Sequence, residues 1–377
     1  MSLIDTLIIG AGPAGLAVAA HLRKRGIQFH IVERSQRAGN AWFEHYDRLH
    51  LHTVKELSHL PFLPFPEDYP RYVPKHLVAD YLKKYAKTFE IHPEFETEVE
   101  QLQRAGDHWK VHTKDKVYQA KKVVVATGVN RIPFEPHFPG EENFEGEISH
   151  SRTYKNALSY KGKKVLVIGM GNTGAEIALD LFEQGAEPFI SVRSPVNIVP
   201  RDVMGRPTQL TAQTLNKLPN WLGDWLGVQL RKFTVGNLSK YGIETPKMPP
   251  TQQLRVTGKT PVVDVGTLAE IKKGNIKVLP AIDHFLSGGV LFKNGEEYPF
   301  DAIILATGYR PALQTFLEDT EGLLDEHDIP KKIIGEGKFE HLYFIGYDNY
   351  TPGGILGVIN RDSALIATHI EKKGSTQ

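Results

Sequence analysis

The stretch Leu3–Arg34, LIDTLIIGAGPAGLAVAAHLRKRGIQFHIVER, reads as an apolar strand, a glycine-rich turn, an amphipathic helix and a second apolar strand. Gly162–Ser194, GKKVLVIGMGNTGAEIALDLFEQGAEPFISVRS, repeats the order. In each, GxGxxG stands between strand and helix, the arrangement that cradles a dinucleotide pyrophosphate. One such unit binds one dinucleotide. Two in one chain point to two dinucleotides, with electron transfer between them.

In the first unit Gly10 permits the tight turn after the strand, Gly12 lets the backbone approach a pyrophosphate, and Gly15 lets helix and strand pack closely. The helix N-terminus then faces the phosphates with unpaired N–H groups and a favourable dipole. Glu33 closes the second strand, where a carboxylate accepts the ribose hydroxyls of an adenosine. Gly169, Gly171 and Gly174 take the same roles in the second unit. Glu33 follows Gly10 by 23 residues, and the same count from Gly169 reaches Val192, with Arg193 and Ser194 next. A guanidinium and a hydroxyl there suit a 2′-phosphate and do not complement a bare diol. The second unit therefore reads as an NADPH site, with Arg201 as a further cation. The competing reading makes Arg193 a solvated surface residue and the cofactor NADH. A hydride from NADPH needs an acceptor, and a flavin is the usual one. The first unit, with its acid, is the natural FAD site.

The 377 residues suffice for two domains of ordinary size. A formal net charge of +1 gives no bulk attraction to nucleic acid or to an anionic membrane. No apolar run reaches the roughly 20 residues that span a bilayer. The first strand begins by Leu3, which leaves no room for a signal peptide, so a cytoplasmic protein is expected. There is no cysteine. That excludes disulfides, a thiolate nucleophile and any flavin chemistry that hands electrons to a protein dithiol. The 16 histidines show no HExxH-like spacing, and no metal site is expected.

Val123–Gly128 (VVVATG) and Ala302–Gly308 (AIILATG) are near-duplicates, each preceded by hairpin signals. The repeat is therefore strand, glycine turn, helix, strand, meander and ATG strand, present twice. The expected fold is α/β: two Rossmann-like dinucleotide-binding domains of the glutathione-reductase-like type, the NADPH domain inserted in the FAD domain. Residues 1–157 and 309–377 form the first and 158–308 the second. Near the C-terminus, the Gly353-Gly354 turn is read as bringing a helix N-terminus toward the flavin, or as a plain helix entry. Leu49–Asp80 is Pro-rich and reads as a rigid, irregular connection. In the 201–260 segment, Trp221, Trp225, Leu226 and Leu230 form an apolar stripe. It reads as a helix face packed on the core or on a partner in a homodimer, with a tunnel wall or a membrane-surface helix as alternatives.

FEGEISHSRTY, Phe144–Tyr154, fits FxGxxxHxxxY. With LHTVKELSHLPFLPFPEDYPRY, GMGNTGAEIALDL, VRSPVNIVPRDVMG, GKTPVVDVGTL and ILATGYRP, it makes the chain resemble the flavin-containing monooxygenases over nearly its whole length. Among them it resembles the plant auxin-synthesis group, the YUCCA enzymes. The resemblance implies FAD reduced by NADPH. Oxygen then gives a C4a-(hydro)peroxyflavin, which transfers one oxygen atom to a small organic substrate: a nitrogen or sulfur nucleophile, a ketone or a 2-oxo acid. The auxin enzymes decarboxylate an indolic 2-oxo acid.

The resemblance sets Gly146, His150 and Tyr154 at the domain junction, coupling NADP⁺ position to the flavin; His150 is alternatively a structural hinge histidine. Asn172 matches an asparagine near the flavin–nicotinamide face, or is a helix cap. His52 stands where the animal-type enzymes carry asparagine, bringing an imidazole that can titrate. The family's GGxW is altered to Gly39-Asn40-Ala41-Trp42, with Asn40 expected to tolerate a left-handed backbone. Trp42 sits beside the isoalloxazine or in the core. Lys55 or Arg361 would supply a cation for a 2-oxo acid. The competing function is a flavin NAD(P)H oxidase or reductase that releases hydrogen peroxide or feeds an external acceptor.

Overall fold

The computed structural model describes residues 3–374. The first unit runs β1 (Ile4–Ile9), α1 (Pro13–Lys24), β2 (His30–Val32), α2 (Asn40–Glu44) and α3 (Lys75–Thr88). A meander follows: β3 (Val99–Ala105), β4 (His108–Thr113) and β5 (Val117–Val125). A short crossing strand, β6 (Ile132–Pro133), leads to β7 (Glu147–His150). The second unit runs β8 (Lys164–Ile168), α4 (Asn172–Glu183), β9 (Glu187–Ser191) and β10 (Ile198–Pro200). A ribbon of β11 (Asp202–Val203) and β12 (Arg206–Pro207) then opens a helical segment of α5 (Thr208–Leu215), α6 (Asn220–Thr234) and α7 (Pro250–Thr257). The chain returns through β13 (Val262–Asp264), α8 (Thr267–Lys273) and β14 (Lys277–Leu279). A second meander of β15 (Ile282–Leu286), β16 (Gly289–Phe292) and β17 (Glu297–Pro299) ends in β18 (Ala302–Leu305). β19 (Tyr309–Arg310) crosses back to β20 (Leu342–Phe344) and α9 (Ile355–Gly374).

The first sheet has the order β2-β1-β5-β4-β3, with β20 also on β5. β5 changes partner along its length: residues near Ala120 pair antiparallel with β4, whereas Val123–Val125 pair parallel with β20. The second sheet, β14-β9-β8-β18-β7, is parallel throughout. Its central strands carry unbroken apolar runs because both faces are covered. Leu166, Val167, Ile303 and Ile304 are fully buried.

β7 pairs with β18 in this second sheet, so Glu147–His150 belongs there and not with the first unit, as the 157 boundary had it. Phe144 and Phe138 pack on Phe285 of the second meander, which draws the chain across before residue 157. Among the described residues, no helix is long and apolar enough to cross a membrane.

The apolar stripe on α6 is split: Leu230 faces inward into a cavity, whereas its tryptophans face out. Trp221 and Trp225 are 73% and 56% exposed. Beside Leu230 the inward face carries Gly223 and Gly227. A Cβ on Gly223 would meet the Leu215 carbonyl oxygen at 2.7 Å, so the glycine lets α5 and α6 approach closely. Helix periodicity found the large apolar residues; small residues decided which side faced the protein.

Candidate active site at the two glycine turns

The two GxGxxG turns are near superimposable in their constraints. Gly10 has φ +106°, and a Cβ there would lie 2.7 Å from the Ala126 carbonyl oxygen. Gly169 has φ +107°, and its Cβ would lie 2.7 Å from the Ala306 carbonyl oxygen. The alanine of each ATG strand end therefore roofs its own turn, which accounts for the duplicated motif. A Cβ on Gly15 or Gly174 would fall about 2 Å from the carbonyl oxygen of Gly10 or Gly169. Gly12 and Gly171 are different: a Cβ at either meets no protein atom within 4 Å. These open backbone positions, at the N-termini of α1 and α4, fit a phosphate.

Beside the first turn is a cleft lined by Gly12, Glu33, Asn40, Thr127, Arg131 and Arg152 among others. The Glu33 carboxylate accepts from Ala11 N at 2.7 Å and from Ser35 N and Oγ at 2.9 and 2.7 Å. A carboxylate has about four lone-pair sites, so these three donors fix it and leave room for a ribose hydroxyl. Arg131 lies in the cleft with its pKa lowered, by burial first and then by Arg34. Gly39, not Asn40, takes the left-handed backbone (φ +68°); Asn40 is the first residue of α2. The altered GGxW thus leaves the strained position a glycine. Trp42 is half-buried on the core beside α3.

At the second turn Arg193 and Ser194 follow β9, exposed, with no acid at the strand end. Arg201 lies elsewhere, over the Tyr72 ring at 4.3 Å, in a cleft that also holds His52 and Glu176 and is not lined by Arg193. Asn172 is the first residue of α4, behind an N-cap that is Gly171. Its Oδ1 accepts from Val263 N at 2.7 Å, so it ties the turn to β13 and is not itself the cap.

Three residues drawn from the family motifs, His52, His150 and Tyr154, are already engaged. His52 Nε2 bonds the buried Glu176 of α4. His150 Nδ1 accepts from Arg152 N at 3.1 Å, so Nε2 carries the proton and donates to the Gly308 carbonyl at 3.2 Å. Burial lowers its pKa, and its bond to Gly308 ties the end of β7 to the second ATG turn. Tyr154 is buried in the second domain and donates to Asp180 of α4 at 2.6 Å; burial, then Asp180, raise its pKa far above the ordinary phenol value. Gly354 (φ +88°) packs on Thr53, where a Cβ would come within 2.7 Å, and Gly353 lies beside Gln213. The two cations offered for a 2-oxo acid are also occupied. Lys55 Nζ donates to the carbonyls of Glu67 and Tyr69, each at 2.6 Å. Arg361 is held by Asp362 and Asp348.

The family described as pyridine nucleotide-disulphide oxidoreductase matches residues 7–218. The chain is 39% identical to the probable indole-3-pyruvate monooxygenase YUCCA3 of Arabidopsis thaliana, over 97% of this chain and 86% of that one. It is 41% identical to the indole-3-pyruvate monooxygenase YUCCA1 of Oryza sativa subsp. japonica, over 97% and 90%. The chain is a YUCCA-type flavin monooxygenase. Its fold matches that of a flavin-containing monooxygenase from Stenotrophomonas maltophilia, with a TM-score of 0.76 at 21% identity over 99% of both chains.

As such the enzyme uses FAD and NADPH, and the first and second turns fit those groups. With no cysteine it has no dithiol to reduce, unlike what its broader family description names. Residues missed in the sequence include Glu176 and Asp180. Their signal was present: two acids four apart on α4, inside an otherwise apolar face. Arg231, on the inward face of α6 beside Leu230, gave no signal, because a lone arginine on an amphipathic helix reads as a solvated residue.

Proposed function

We propose that this monooxygenase oxidatively decarboxylates an aryl 2-oxo acid. The observation that carries the reading is the near full-length identity to two proteins named as indole-3-pyruvate monooxygenases. The reaction would consume one 2-oxo acid, O₂, NADPH and a proton. It would give the shortened carboxylic acid, CO₂, water and NADP⁺. When bound, FAD reduced by NADPH supplies the activation of oxygen.

The chain's own groups supply the rest. The Gly10, Gly12 and Gly15 turn and Glu33 hold the FAD pyrophosphate and adenosine ribose, with Arg131 balancing phosphate charge. The Gly169, Gly171 and Gly174 turn holds NADPH, and Arg193 and Ser194 take its 2′-phosphate. Asn172, fixed through Val263, presents its remaining amide protons toward the nicotinamide. Gly353 and Gly354 set the N-terminus of α9 toward the flavin. Trp42 packs beside the FAD-binding turn. His52, His150 and Tyr154 position the two domains and do not transfer protons to substrate.

The test supplies FAD-loaded enzyme with NADPH and indole-3-pyruvate and measures indole-3-acetate, CO₂ and hydrogen peroxide. One acid per NADPH with little peroxide is the expected result. Stoichiometric peroxide and no acid, whatever the 2-oxo acid offered, would make the protein an NADPH oxidase.

A further inference from the structure

An apolar cavity lies between α5, α6, α7 and β10, lined by Val199, Leu215, Leu230, Leu254 and Pro261. One charged side chain, Arg231, lines it. Its Nε is buried without a hydrogen-bond partner. No carboxylate forms an ion pair with it among the described residues. Asp224, the acid on the same helix, is taken by Arg255 at 2.7 Å and by Thr251. Burial lowers the Arg231 pKa with no opposing carboxylate. A guanidinium nonetheless stays charged at any physiological pH. Arg231 is half-buried, so part of its charge lies against this apolar wall without a counter-ion, and a ligand carboxylate would relieve that cost.

The cavity is also well placed. Pro352, which precedes the Gly353-Gly354 turn, forms part of its wall. Gln209 of α5 donates to the Gly353 carbonyl and accepts from Val54 N, so this wall is tied to the Gly353-Gly354 turn and to the Pro-rich loop. The β10 residues in the wall pair with β13, whose Val263 N binds Asn172 at the NADPH turn. The cavity therefore adjoins the Gly353-Gly354 turn and, through β10 and β13, the support of the NADPH turn.

We propose that this cavity is the substrate pocket and that Arg231 binds the substrate's carboxylate while the apolar wall holds its aryl group. The assignment rests on the aryl 2-oxo acid reading for the choice of ligand, and its test is separable from turnover. Arg231→Met and Arg231→Lys are compared with the parent enzyme for anaerobic calorimetric binding of indole-3-pyruvate and of its uncharged methyl ester. FAD content and melting temperature check folding. Arg231→Met is expected to weaken the acid about 10- to 100-fold, the worth of a charged hydrogen bond. The ester should be affected less than twofold, with Arg231→Lys intermediate for the acid. In turnover the loss falls on KM. If the variant binds the acid like the parent, or loses acid and ester equally, the assignment is overturned. No measurable binding of the acid to the parent overturns it too. Arg231-dependent binding without oxygenation in the parent would sink the proposed reaction and leave the anchor standing. Oxygenation unaffected by Arg231→Met would do the reverse.

Discussion

His52 Nε2 shares a hydrogen bond with Glu176 Oε1, joining the Pro-rich loop of the first domain to the helix that carries the NADPH turn. The carboxylate accepts, so Nε2 carries the proton. Glu176 is 4% exposed and His52 18%. His52→Ala leaves a buried carboxylate without this partner and should destabilise by about 3 kcal/mol. His52→Ala combined with Glu176→Gln should recover part of that. Urea unfolding of the three variants checks the order; equal stability for His52→Ala and the parent would show that the pair contributes nothing.

The glycines of each turn separate folding from binding. Gly174→Ala puts a methyl 2.0 Å from the Gly169 carbonyl oxygen and should give no folded protein. Gly171→Ala meets no protein atom and should fold, with NADPH KM raised roughly tenfold or more by crowding of the pyrophosphate. Gly12→Ala should fold likewise and lose FAD. Circular dichroism, FAD content and NADPH kinetics distinguish the three; unchanged cofactor binding in Gly12→Ala and Gly171→Ala would remove both turns from the site.

Arg193 is exposed at the end of β9, where the first unit has Glu33. Arg193→Ala should raise KM for NADPH about 10- to 100-fold and leave NADH kinetics within twofold. An equal effect on both cofactors would mean that Arg193 does not meet the 2′-phosphate.

Tyr154 holds Asp180 in the second-domain core. Tyr154→Phe removes the donor and leaves Asp180 short of a partner, at a cost of about 1–3 kcal/mol. Stopped-flow flavin reduction should be little changed. A large loss of reduction rate at full stability would return Tyr154 to the chemistry.

Acid should destabilise the native state before its carboxylates titrate. Burial holds His21 and His45 at about 4, below their ordinary 6.5; Arg25 adds for His21, and Arg152, Lys75 and Lys155 add for His45. His150 is lowered too, by burial. Below pH 6.5 the unfolded chain binds protons that the native chain refuses. The stability present above that pH is therefore lost progressively as pH falls toward 4. Melting temperature should drop across this window, and His45→Gln should flatten the drop. A flat profile in the parent enzyme would contradict the burial of these rings.

Both dinucleotide units were legible because their logic is local. Strand, turn and helix lie within one short stretch, and the glycine that must tolerate a carbonyl oxygen sits five residues from it, as Gly15 does from Gly10. The ATG ends were legible as a repeat, although their purpose, roofing Gly10 and Gly169, needed the register of β5 beside β1 and of β18 beside β8. The helical segment from α5 to α7 was illegible in packing. Beside Leu230, its inward face carries Gly223, Gly227 and Thr234, which a search for large apolar residues passes over.

The sequence by itself determined two dinucleotide-type glycine turns, an acid at the end of one second strand and a cation after the other, and the exclusion of thiol chemistry. Those follow from residue type and short spacing, which the backbone converts directly into geometry. Only the tertiary structure decided which polar groups are free. His52 finds its partner 124 residues away, and Tyr154 finds Asp180 from 26. Lys55 and Arg361 are closed by neighbours, while Arg231 is left without one. Partnership is settled by which elements pack together, and that depends on the whole sheet and helix arrangement; no local spacing carries it.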